Sequence, residues 1–83
     1  MEVAAQVSLY PLRQPGISSQ IERAIAVFSQ HGLKVTPGSM STVVSGDHDR
    51  MFDALKQAFQ VTAAQGELVM VVTVSNACPV GGG

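Results

Sequence analysis

The side chains able to do chemistry are few and scattered: His31, His48, Cys78, Tyr10 and a handful of carboxylates. His31 ends a helical stretch, where an imidazolium suits the C-terminal dipole better than it serves as ligand or base. His48 stands beside a helix cap and reads as solvated. Asp47, His48 and Asp49 are successive residues at a helix start and do not converge on one ion, so no metal site is expected. Cys78 precedes a proline and reads as inert packing. The chain has no phosphate-binding loop, no dinucleotide-binding glycine pattern, no paired cysteines and no histidine pair at ligand spacing. No catalytic residue and no cofactor are therefore expected. What remains is a polar row, Gln6, Ser8 and Tyr10, alternating with Val7 and Leu9. An amide, a hydroxyl and a phenol on one strand face each need a partner if covered, and so can line a small-molecule pocket. A hydrogen-bond network between subunits, or water, would satisfy the same groups.

The elements that must position this row follow from periodicity. Residues 3–12 alternate with period two and end at Pro11, which has no N–H for a ladder. Ile17, Ile21, Ala24, Ile25 and Phe28 share a helical face; Ser19 and Glu22 have capping-box spacing, and Gly32 stops the helix. Leu33–Pro37 reads as a short edge strand with Lys34 outward, and Met40–Gly46 as its return after a Pro37-Gly38 turn. Asp47 is placed to cap a second helix whose buried stripe is Met51, Phe52, Leu55, Phe59 and Thr62 or Ala63. Leu68–Ser75 is almost unbroken apolar, which predicts burial on both faces, one of them against a second copy of the sheet. The order strand-helix-strand-strand-helix-strand predicts an α+β, ferredoxin-like βαββαβ sandwich. Its antiparallel four-stranded sheet has order 4-1-3-2, with two helices on one face and the other packed against an oligomer partner.

The chain has 83 residues, 46% hydrophobic and 13% charged, with net charge −1. That is one domain, 1–83, with a flexible tail expected from about 79, and small enough to gain stability by oligomerising. A basic nucleic-acid face is not expected at this charge, nor is a membrane span, and the single cysteine fits a reducing cytoplasm.

Ser8-Leu9-Tyr10-Pro11, Gly38-Ser39-Met40-Ser41-Thr42 and Val74-Ser75-Asn76-Ala77-Cys78-Pro79 occur in that order along nearly the whole chain. With these landmarks the sequence resembles the YkoF-type thiamine/hydroxymethylpyrimidine-binding proteins. The resemblance implies a ferredoxin-like domain forming homodimers or homotetramers through the open sheet face. It also implies non-catalytic binding of thiamine or its pyrimidine portion at the sheet or oligomer interface, for carriage or sensing. It points to Ser8, Tyr10, Met40, Ser41, Thr42, Ser75 and Asn76 as pocket residues. Strand parity alone leaves open which of Ser41 and Thr42 faces the ligand. The competing readings are a small cofactor-free monooxygenase-type enzyme, which needs a titratable pocket group such as Tyr10 or Cys78, and a regulatory small-molecule-binding module acting on a partner protein.

Overall fold

The computed structural model describes residues 1–13, 16–39 and 41–77. Its elements are β1 (Glu2–Pro11), α1 (Ile17–Gln30), β2 (Lys34–Pro37), β3 (Thr42–Asp47), α2 (His48–Ala63) and β4 (Leu68–Ser75). The sheet order is β2-β3-β1-β4, fully antiparallel, with β1 and β3 central, as the sequence predicts. Both helices cover one face, completing a ferredoxin-like α+β fold. Among the described residues no helix is long and apolar enough to cross a membrane. Met40, Cys78 and the expected tail from 79 lie outside the described residues.

The alternation in β1 sorts as expected. Val3, Ala5 and Val7 are buried under the helices with Val44, and Leu9, Val35, Met70 and Val72 pack partly against them. Gln6 and Tyr10 are exposed on the opposite face. Pro11 does not end the pairing: it lies opposite Leu68, and the next residue, Leu12, donates its N–H to the Glu67 carbonyl at 2.9 Å. The reason lies in the strand's alternation. Leu12 and the other even residues of β1 turn their main-chain groups toward β4. The His48 N–H donating to the Met1 carbonyl at 2.8 Å fixes the odd residues toward β3. The nitrogen of Pro11 therefore faces away from β4, and no ladder bond is lost.

Both helices turn differently from the sequence reading. α1 begins at Ile17 with Gly16 as N-cap and no side-chain cap; the Ser19 hydroxyl donates back to the Gly16 carbonyl, so the capping box is not formed. Gln20, Ala24, Val27 and Phe28 are its buried residues, while Ile17 is exposed. In α2 the buried stripe is Met51, Ala54, Leu55, Ala58 and Thr62; Phe52 and Phe59 are 49% and 44% exposed. The two phenylalanines sit roughly 100–160° round the helix from the alanines. Ala54 and Ala58 occupy the inward face, and the larger rings are left outside. The buried Thr62 hydroxyl is satisfied by donating to the Ala58 carbonyl at 2.7 Å. Asp47 does cap α2, its carboxylate accepting from the Asp49 N–H (3.1 Å) and the Arg50 N–H (3.3 Å). Those contacts, the Arg50 N–H first, hold its pKa below the usual aspartate value.

Candidate functional site

The strands flanking β1 are of unequal reach. β4 pairs with it from Ala4 to Pro11, but β3 only from Glu2 to Val7. Where β3 falls short, the β2–β3 turn and α1 enclose a recess of about 90 Å³ on the β3 side of β1. Val7 and Leu9 form its floor, Ile21, Ala24, Ile25 and Phe28 of α1 its apolar wall, and Ser8, Gly38, Ser39, Ser41 and Thr42 its polar rim. None of these lining residues carries a titratable side chain. The rim is held tightly. The Gly38 N–H donates to the Ser41 carbonyl at 2.9 Å, and a Cβ on Gly38 would lie 2.8 Å from that oxygen. Any larger residue there would push the rim outward.

Of the seven residues expected in a pocket, Ser8, Ser41 and Thr42 meet at this recess. Both hydroxyl residues that strand parity left undecided reach it, from opposite sides. Thr42 is paired with Val7 on the helix side. Ser41 lies with the polar row, its Oγ accepting from Nε2 of Gln6 at 3.0 Å. Tyr10 stands on the open face opposite Val69, 53% exposed, and does not line the recess. Ser75 lies opposite Ala4, six positions from Tyr10 along β1, or about 20 Å. There Asn76 Nδ2 is 3.7 Å from the Met1 sulfur. A single chain thus holds these residues in two groups at opposite ends of the sheet. Met40 lies outside the described residues.

Sequence reasoning missed the contribution of α1. Ile21 and Ile25 read as core but are only half-buried, because they wall the recess. Their signal was the excess of apolar residues in α1 beyond one helical stripe.

The histidines stand apart from this site. His31 caps α1, with Nδ1 2.9 Å from the Val27 carbonyl. His48 opens α2, with Nδ1 3.3 Å from Asp49 Oδ1 and its ring edge-to-face with Phe52 at 5.3 Å. Among the described residues no three acidic, histidine or cysteine side chains gather as a metal site.

The open sheet face carries transverse rows set by the register. At one end run Lys34, Ser45, Ala4 and Ser75; next come Thr36, Val43, Gln6 and Thr73. Farther along, Ser8 lies opposite Val71, and Tyr10 opposite Val69. Val43, Val69 and Val71 are 42%, 46% and 51% exposed. Within one chain β4 is therefore covered on one face only.

Comparison with known proteins places these features in context. The sequence pattern of the YkoF-related family matches residues 2–81. A UPF0045 protein of Methanocaldococcus jannaschii is 40% identical over 58 residues, 69% of this chain; the match spans 58% of that relative's length. A crystal structure of the M. jannaschii protein superposes with TM-score 0.84 at 30% identity, covering 93% of this chain and 81% of that one. A DUF77 domain from Bacillus cereus gives TM-score 0.77 at 26% identity, over 90% and 75% of the two chains. A Thermotoga maritima protein provisionally assigned to thiamine biosynthesis or salvage shares the fold, with TM-score 0.78 at 22% identity over 90% and 83%.

Proposed function

This chain belongs to the YkoF-related family, and from that premise we propose that it is a non-catalytic, cytoplasmic binding protein for thiamine or its hydroxymethylpyrimidine portion, acting in carriage or sensing. The observation that carries the reading is the neutral recess beside Ser8, Ser41 and Thr42, apolar on one wall and hydroxyl-bearing on its rim. An aminopyrimidine is flat and uncharged, with one exocyclic donor and ring-nitrogen acceptors. Apolar walls with a few fixed polar groups are what such a ring needs.

At about 90 Å³ the recess is far smaller than the roughly 300–1,000 Å³ of ordinary ligand sites. It accommodates part of a ring, so the rest of the site comes from a second copy covering the open face in a homodimer or homotetramer. Exposed Val43, Val69, Val71 and Tyr10 favour such covering. The test is calorimetric titration with thiamine, thiamine diphosphate and the free pyrimidine, alongside melting curves. Ligand at a hundred times its Kd raises stability by about 2.7 kcal/mol. No heat and no shift in Tm at millimolar concentrations of all three, in a folded sample, overturns the proposal.

A further inference from the structure

The two borders of the sheet are built differently. β2 is four residues long and carries Lys34 and Pro37, a charge and a missing N–H that protect an edge from pairing. β4, the other border, is eight residues long and holds neither charge nor proline. The Leu12 N–H donating to the Glu67 carbonyl fixes the odd residues of this strand toward β1. Leu68, Met70, Val72 and Val74 therefore turn their main-chain groups outward, and among the described residues no strand lies beyond them.

The helix layer is open along the same border. α2 packs on β4, and a Cβ on Gly32 at the end of α1 would lie 3.1 Å from Arg50 Nη1, so the Arg50 flank of α2 faces α1. Phe52 and Phe59 stand about 160° and 180° round the helix from Arg50, on the flank away from α1. They are half-exposed. On the helix side of β4, Leu68, Met70 and Val72 are only half-buried, and Val74 is 37% exposed. An apolar helix flank and an unprotected strand edge thus run side by side.

We infer that this border is a contact surface for a second copy of the chain, β4 pairing antiparallel with β4 about a two-fold axis normal to the sheet at Val71. Cross-strand partners share a face, so the axis passes through a residue and not between two. Centred on Val71, it pairs the outward residues among themselves: Leu68 with Val74 of the second copy, and Met70 with Val72. The helices fit the same axis. α2 runs antiparallel to β4 and matches it in length, about 24 Å against about 26 Å. Phe52 and Phe59 each stand four residues from an end of α2, so the axis sets Phe52 of one copy across from Phe59 of the other. One helix over two strands, at about 4.8 Å per strand, places the two α2 helices about 10 Å apart, the separation at which helices pack. The contact uses the edge and the helix layer, and is separate from any covering of the open face.

The experiment places one cysteine at a time in β4 of the full chain, with Cys78→Ser removing the native thiol. Val71→Cys, on the axis, sets two cysteines about 4.5 Å apart between Cα atoms, within disulfide reach. Val69→Cys and Thr73→Cys lie two residues off the axis, about 13 Å from their counterparts. Sheets stacked face to face stand about 10 Å apart, beyond that reach, so covering of the open face does not form the same bond. The expected result under mild oxidation is a covalent dimer from Val71→Cys and none from either neighbour. The double variant Phe52→Glu/Phe59→Glu should keep the circular dichroism of the parent while its mass in sedimentation falls by half. No covalent dimer from Val71→Cys, or cross-linking at all three positions alike, overturns the inference. So does a parent chain that sediments as a monomer, or an unchanged mass in the folded phenylalanine variant.

Discussion

Gly46 is the position where a single methyl group should do most harm. It lies in β3 opposite Val3, one residue before the cap of α2, with φ at +154°. A Cβ built there falls 2.5 Å from Leu33 Cδ2, against an ordinary carbon contact of about 3.5–4.0 Å. Leu33 is 7% exposed and belongs to the core, so it cannot swing into solvent. Two costs follow for Gly46→Ala: about 1–3 kcal/mol for a backbone region nearly reserved to glycine, and about 1–3 kcal/mol for overpacking. At roughly 4–12 kcal/mol of total stability for a domain of this size, a loss of about 3 kcal/mol lowers Tm by about 12–24 °C. Thermal and urea unfolding followed by circular dichroism would measure it. The double mutant with Leu33→Ala isolates the contact. It should be less destabilised than the sum of the single mutants by about 1–3 kcal/mol, because the clash is gone and the backbone strain remains. A Gly46→Ala protein within about 0.5 kcal/mol of the parent would refute the assigned backbone geometry, and strict additivity would refute the contact.

Three further outcomes follow from the site and its supports. Ser8→Val or Thr42→Val should weaken binding of the free pyrimidine by about 1–2 kcal/mol per lost hydrogen bond while leaving Tm nearly unchanged, measured by calorimetry and melting. Val71→Asp, on the exposed side of β4, should leave the fold intact and abolish self-association, read by analytical ultracentrifugation; unchanged mass would refute covering of that face by a second copy. Asp47→Ala should destabilise in a pH-dependent way. The folded pKa of Asp47 is lowered, chiefly by the Arg50 N–H, so the cap contributes fully above the unfolded value of about 4. The Tm gap between parent and mutant should hold at neutral pH and shrink as pH falls through the lower, folded value. A gap that widens in acid would contradict the capping geometry.

Much of this architecture was legible in residue order. Alternation of Val3, Ala5, Val7 and Leu9 with polar partners placed β1 mid-sheet, and Asp47 after Gly46 announced the start of α2. Helix faces are less legible, because large apolar residues read as inward. Phe52 and Phe59 lost that place to Ala54 and Ala58, whose small size says nothing about direction until a neighbouring helix is present. The Ser19–Glu22 spacing is equally at home one turn inside a helix, which is where it lies. Ser8, Ser41 and Thr42 stand out in the sequence as candidates, but the recess they share arises from the different lengths of two ladders along β1. Pairing register is a property of three strands together. No one of them encodes it alone.

The rows across the uncovered sheet run from lysine and serine at one end to tyrosine and valine at the other. A face graded in this way discriminates between orientations of an identical face laid upon it. A two-fold axis parallel to the strands stacks hydrocarbon on hydrocarbon and leaves the ammonium of Lys34 at a wet margin. An axis perpendicular to them sets β4 against β4 end for end and turns exposed Val69 and Val71 toward Thr73 and Ser75 of the counterpart strand, apolar against polar. For the proposed self-association the gradient favours the parallel axis, with which the Ser75 and Asn76 end of one copy would lie remote from the other's recess.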